Sequence, residues 1–494
     1  MAGKGLLEQM FPPGVQAAKK PPVERIPIDS AIVIGAGIAG LTAAYLLTKN
    51  GIVNTVTVLE SCHRPGGRIQ TKTYPNGQHG TVGFMEYYEP AMDEDTWWLL
   101  NELGFGQNDM ARWPMRQYYW WRDQYVYQDG NWDQFIHALP FDDEAGADDF
   151  VLSEDEIWDL EKSVCVWPLD TGGYPDYDDN EFEDWMLWAR NKKGKVNPHW
   201  RSDVVELWDI NLRSETGCQS WRSSAAWGIM CSCYWDLGKS FWTLKDGNYA
   251  MIEALMQNIP AGSVHLHEAA TSVTNVGDTG VQVETGVGTY NADVAIVATP
   301  HNKVTSIVPE LSSERVAIYD SMGNTKNYVA LQQYTERFWE TIYGLVDSWG
   351  GYSDQGINHT TRTSALSIGD ETGWQTGSTG ILSHYVNDPT ASEYWVDTGS
   401  LHARGAEKDA ITNFVLDDME QYFPVVRDYL IPGSERVYKW DPYGPNYPPG
   451  HVLNGGYATN KTPVGRIYFV GDYIEDFGVG DAIASSIDVT DKFE

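Results

Sequence analysis

The stretch from residue 31 to residue 60 constrains the fold most. Ala31-Ile32-Val33-Ile34 is a short, continuously apolar run suited to a strand buried on both faces, and Gly35, Gly37 and Gly40 follow it in G-x-G-x-x-G spacing. An apolar helical segment comes next over residues 41–47, then a second strand pattern over 55–59, closed by Glu60. A glycine fingerprint alone is weak, but strand, glycines, helix, strand and terminal acid together make a complete βαβ unit. Gly35 permits the turn, Gly37 lets backbone approach a pyrophosphate, Gly40 lets helix pack on strand, and Glu60 accepts hydrogen bonds from ribose hydroxyls. The pattern therefore predicts a dinucleotide site. Residues 30–48 carry no charge and are long enough to cross a bilayer, but the glycines and the β-rich start favour strand, turn and helix.

Composition narrows the class further. At roughly 150 residues per domain, 494 residues suggest about two or three domains, and 42% apolar content suffices for a sizeable core. With 34 Lys+Arg against 69 Asp+Glu the formal charge is −35, which excludes ordinary electrostatic nucleic-acid binding. Cysteines 62, 165, 218, 231 and 233 form no ligand grid, so neither a metal site nor a disulfide framework is expected. Residues 1–27 contain no apolar signal-peptide core. The expectation is a soluble, cytoplasmic rather than secreted protein with no membrane span, with a homo-oligomer left open. Sequons at Asn358 and Asn460 would matter only in a secreted chain.

Between about 110 and 240 the composition changes. Tyr118-Tyr119-Trp120-Trp121 and Tyr125-Val126-Tyr127 look like a hairpin, and the acidic runs 142–149 and 176–184 look like solvated loops. A helix is expected after Asp246-Gly247 through Leu255, and strands over 281–285 and 294–297 return the chain to the nucleotide domain. A second excursion, roughly 311–436, mixes strands over 327–333 and 380–385 with a helix over 407–422. The last block, Gly465 to Asp472, is a strand and a glycine turn.

On Val33 to Leu41, on Val58-Leu59-Glu60 followed by Arg64-Pro65-Gly66-Gly67-Arg68, and on Gly465 to Asp472, the chain resembles the flavin amine-oxidase superfamily, which includes monoamine, polyamine and L-amino-acid oxidases. The resemblance implies an α/β protein with a discontinuous Rossmann-type FAD-binding domain (28–105, 240–310, 437–494) and an α+β substrate domain (106–239, 311–436). It implies noncovalent FAD, because residues 444–446 hold no cysteine. Besides Gly35, Gly37, Gly40 and Glu60, it implies cofactor contacts at Gly67, Arg68, Gly83, Phe84, Met85, Ala270, Gly471 and Asp472. Val479 and Ala482 would begin the helix beneath the flavin pyrimidine, where a helix N-terminus favours negative charge on reduced flavin.

For the substrate, the resemblance implies an aromatic wall at Tyr447, near Trp440, and Phe477 beside Gly478. Glu86 stands where amino-acid oxidases carry an arginine, so a cationic amine suits it better than an α-amino acid. The lysine that family members hold near flavin N5 falls at Val329 here, and Lys326 reaches the flavin only if a bulge rotates it. Short matches, among them Trp242 to Gly247 and Val415 to Glu420, are also similar to flavin-dependent polyunsaturated fatty-acid isomerases, with Arg116 as the carboxylate partner. Amine oxidation with reoxidation by oxygen is the leading expectation, and isomerisation or desaturation of an unsaturated fatty acid or polyene is the rival.

Overall fold

The computed structural model describes residues 25–90, 93–114, 116–164, 173–188, 200–217, 220–237, 241–346, 348–354, 366–370, 375 and 377–474 with 478–494. Its organising element is a five-stranded parallel sheet ordered Ile467–Phe469, Val294–Val297, Ser30–Ile34, Thr55–Leu59, Val264–His265. The central strand is buried because helices cover both faces of a parallel sheet, which is why it reads as an unbroken apolar run. Helix Ile38–Lys49 leaves this strand through the glycine turn and packs against the C-terminal helix Val479–Thr490, where the Ser486 hydroxyl donates to the Ala39 carbonyl at 2.9 Å. Residues 30–48 are thus strand, turn and helix, and no helix among the described residues is long and apolar enough to cross a membrane.

A second sheet of seven strands runs Arg436–Trp440, Asn327–Tyr334, Gly380–Val386, Leu366–Asp370, Ser348–Ser353, Arg116–Trp121, Gln124–Tyr127. All neighbours are antiparallel except Ser348–Ser353 beside Arg116–Trp121. The aromatic runs do form a hairpin, turning through Arg122 and Asp123 at φ 52° and 58°, the positive pair that a two-residue turn of matching twist requires. Asn327–Tyr334 is buried at every position, with one face on helix Gly405–Tyr422 and the other on the cavity side.

The first acidic run departs from expectation. It enters helix Glu144–Val164, and Phe182–Trp188 is likewise helical. Carboxylates in a first turn face the positive end of the helix dipole, so acids there start a helix instead of breaking one. Asp203, fully buried, accepts the Asp142 amide at 2.9 Å and anchors the entry. Asn460 is also buried, its amide donating to the Tyr473 carbonyl at 2.9 Å, so that sequon is closed to a glycan in the folded chain, while Asn358 lies outside the described residues.

Asp418, on helix Gly405–Tyr422, is buried against the seven-stranded sheet, accepting from the Ser353 hydroxyl at 2.5 Å and the Tyr422 hydroxyl at 2.8 Å. Burial, and then the charge of Asp354, push its carboxyl up to about 7. A raised acid contributes stability in full below its unfolded value near 4 and loses it as pH rises to the folded value. Relative to the parent, Asp418→Asn should therefore gain on the order of 2 kcal/mol between pH 5 and pH 8 in urea unfolding. A difference that stays constant with pH would remove Asp418 as the titrating group.

Candidate active site

The two sheets face each other across a cavity of about 1430 Å³, more than a drug-sized ligand needs (about 300–1,000 Å³) and roomy enough for a dinucleotide plus substrate. At one end the glycine turn has the shape the sequence demands. Gly35 lies at φ +107°, and a Cβ on Gly40 would stand 2.0 Å from the Gly35 carbonyl oxygen. Gly37, by contrast, faces open space, with nothing within 4 Å of a Cβ added there. No side chain caps the start of helix Ile38–Lys49, so its first amides face the cavity as donors for an anion. Glu60 is buried at the wall, taking the Ala36 and Cys62 amides at 2.8 Å each. Ala270, at the start of the strand Ala270–Val276, completes this end.

The Gly66-Gly67 turn is stitched to the glycine turn by the Gly66 amide on the Ala36 carbonyl at 2.7 Å. Arg68 then forks onto Asp472, at 2.6 and 2.7 Å, and donates to the Tyr443 carbonyl at 3.0 Å. This bidentate pair joins residues from opposite ends of the chain, and both line the cavity. Gly471 lines it too, its amide on the Ser485 hydroxyl at 3.0 Å. Gly83 packs so closely that an added Cβ would be 1.8 Å from the Arg68 carbonyl oxygen. Two aromatic side chains of the second sheet fasten this segment: Trp440 Nε1 donates to the Val82 carbonyl at 2.7 Å and the Tyr385 hydroxyl to the Gly83 carbonyl at 2.8 Å.

Phe84, Met85, Val479 and Ala482 line the same region. The helix Val479–Thr490 opens at Gly478, φ +113°, which has no side chain to cap it, so a second helix start meets the cavity. Glu86 lines the wall with Asp93, Glu94, Asp95 and Asp481. Asp93 is nearly fully buried against Gly480, and burial pushes its carboxyl up to about 6 against hydrogen bonds from Thr96.

Three expected substrate contacts stand elsewhere. Tyr447 is fully buried behind the wall, edge-on to Trp227 and Tyr457 with its hydroxyl 3.5 Å from the Asp472 carbonyl, whereas Tyr443, four residues earlier, lines the cavity. Arg116 is exposed at the first position of its strand while the next residue, Gln117, lines the cavity, as side-chain alternation along a strand dictates. Lys326 precedes a strand paired without a register shift on either side, so no bulge rotates it, and its ammonium lies 5.3 Å from the Trp395 ring centre. Val329 occupies the cavity-side face. Lys326→Met should accordingly leave flavin reoxidation within about twofold of the parent in stopped-flow traces; a tenfold loss, about 1.4 kcal/mol, would place it at the flavin after all. Phe477 lies outside the described residues.

Sequence reasoning missed Asn248. Fully buried, it accepts from the Leu244 amide at 3.0 Å and donates to the Met85 and Phe84 carbonyls at 2.8 and 3.2 Å, fixing the segment before Glu86. The available signal was an Asn at a helix start directly after an Asp-Gly turn.

Two uncapped helix starts, a buried ribose-type acid and an open glycine suit a flavin dinucleotide laid from Glu60 to Val479. Residues 38–491 match the flavin containing amine oxidoreductase family. The chain belongs to that family. Its cofactor is FAD.

Among solved structures, a redesigned putrescine oxidase superposes with TM-score 0.73 at 19% identity, over 94% of this chain and 98% of that one. Cyclohexylamine oxidase from Brevibacterium oxydans gives 0.70 at 17%, over 94% and 99%. At these identities the likeness is one of fold. Protein FLOWERING LOCUS D of Arabidopsis thaliana is 24% identical over 323 residues, 63% of this chain, and the match spans only 37% of that relative's length. An L-amino-acid oxidase of Daboia russelii is 42% identical over 59 residues, 12% of this chain and 11% of its own.

Proposed function

We propose that the protein oxidises an amine to an imine, with the flavin returned to its oxidised state by molecular oxygen. FAD, when bound, supplies the hydride acceptor. The chain's task is to hold the substrate carbon in line and keep water out, which Trp440, Tyr385 and Tyr443 do as an aromatic floor pinned by their hydrogen bonds and packing.

The observation that carries the reading is the charge of the lining. Among the described residues around the cavity the cations are Arg68, forked onto Asp472, and Lys303, beside Thr299 at the nucleotide end. The other charged side chains on the described lining are carboxylates, set among apolar and aromatic residues. A substrate carboxylate would enter such a space without a cationic partner, at a desolvation cost of several kcal/mol. An amine meets an attractive field there. The rival fatty-acid reading depends on Arg116, which points away.

The decisive experiment is anaerobic flavin bleaching with amines, amino acids and polyunsaturated acids, followed by analysis for aldehyde or shifted double bonds. Amines should bleach the flavin and yield aldehyde, Glu86→Gln should weaken them, and Arg116→Ala should change nothing. Bleaching by an unsaturated acid that Arg116→Ala abolishes would replace the amine reading with the isomerase. The flavin should be released by acid, since Gly444-Pro445-Asn446 offers no thiol.

A further inference from the structure

We propose that Asp93 is a positioning residue that sets the reduction potential of the bound flavin according to pH. As a carboxylate it cancels part of the positive end of helix Val479–Thr490, and as a neutral acid it leaves that end undiminished. The inference needs bound FAD alone and is independent of the substrate.

Asp93 occupies the N-cap position of helix Glu94–Glu102, and its backbone is held on both sides. Its amide donates to the Glu89 carbonyl at 3.1 Å, and its carbonyl accepts the Trp97 amide at 3.2 Å. The side chain is about nine-tenths buried and lies against the first turn of the other helix. A Cβ on Gly480, the second residue of that helix, would stand 2.5 Å from Asp93 Oδ1 and 3.2 Å from its Cγ. Glycine at 480 is therefore what admits a carboxylate to the turn, and Gly478, Val479, Gly480 and Asp93 all line the cavity. Hydride brings two electrons and one proton, so reduction leaves the flavin with one added negative charge. The helix start favours that charge. A fixed carboxylate on the same turn opposes it by like-charge repulsion, in a space walled by Phe84, Met85 and Val479 where screening is weak.

The charge on Asp93 changes within the working range of pH. Burial pushes the carboxyl up to about 6 against hydrogen bonds from Thr96, and Asp95 on the same helix adds to the rise. Tyr87, from the preceding segment, is fully buried, and the charge of Asp93 is felt at its hydroxyl. Asp481 follows Gly480 on the opposite helix, and Glu86 and Glu94 complete the acids of this wall. Negative charge on the reduced flavin raises the Asp93 carboxyl further, so reduction just above its own value draws a proton from solvent onto Asp93. Well below that value Asp93 is neutral in both flavin states. Above it the carboxylate lowers the potential, making the flavin a weaker hydride acceptor and a stronger electron donor.

The test measures the midpoint potential of the holoprotein against pH, by reduction beside a reference dye, in the parent and in Asp93→Asn. At pH 8 the variant should favour reduced flavin at least tenfold more than the parent does, about 30 mV for a two-electron couple. At pH 5 the two should agree within about twofold, because the parent carboxyl is then protonated. If Asp93→Asn does not retain flavin, the parent decides through its reduced-minus-oxidised infrared spectrum at about pH 6.5. That spectrum should gain a carboxylic-acid carbonyl band that persists in Asp481→Asn and Glu86→Gln. Equal potentials at pH 8, a difference of the same size at both pH values, or a spectrum without that band overturns the proposal.

Discussion

Gly83→Ala should yield a protein that purifies without bound flavin and unfolds at lower temperature. The added methyl would stand 1.8 Å from the Arg68 carbonyl oxygen and 3.3 Å from the Trp440 ring, so one of two fixed partners must give way. Neither can do so locally. The Arg68 carbonyl accepts the Phe84 amide at 3.0 Å, and the Arg68 side chain is tied to Asp472; Trp440 is tied to Val82. Overpacking of this kind costs about 1–3 kcal/mol where side chains can adjust, and a backbone oxygen cannot, so about 3 kcal/mol or more is expected. Gly286→Ala is the control, since a Cβ there meets nothing within 4 Å, and it should leave flavin content and thermal midpoint unchanged. Parent-like flavin content in Gly83→Ala would show that the segment is not the rigid joint described.

Where burial is symmetrical, the chain was legible. Val294–Val297 and Ser30–Ile34 are buried strands whose apolar runs leave no other use for those residues, and Gly35 and Gly40 follow from backbone contacts alone. What could not be read is parity and reach. Whether Arg116 or Gln117 faces the cavity depends on a one-residue register that no pattern on that strand specifies, because each face starts with one polar residue and is aromatic beyond it. Tyr443 and Tyr447 are both aromatic, both close to a glycine and a proline, and only the path of the chain between Trp440 and Gly450 decides which reaches the cavity. The acidic runs misled for a different reason: their charge describes solvent contact, and a helix start is one of the places where acids and solvent meet.

Glu60→Ala should weaken FAD binding by about 1–3 kcal/mol, roughly 5- to 150-fold in Kd. Two effects compete in that number. The carboxylate holds the Ala36 and Cys62 amides, each at 2.8 Å, and so shapes the turn; it also lines the cavity where ribose hydroxyls would meet it. They separate by ligand. FMN lacks the adenosine ribose, so a direct role makes the loss for FAD exceed the loss for FMN, measured by flavin fluorescence quenching on apoprotein. A role through the turn alone would move both equally, because the displaced Gly37 region would disturb the whole cradle. Glu60→Gln sharpens the comparison: one amide oxygen can still take the Ala36 N–H, whereas the negative charge that strengthens ribose hydrogen bonds is gone. The expected order of FAD affinity is parent, then Gln, then Ala, with the FMN values spread over a narrower range. Equal FAD affinity in all three would take Glu60 out of the site.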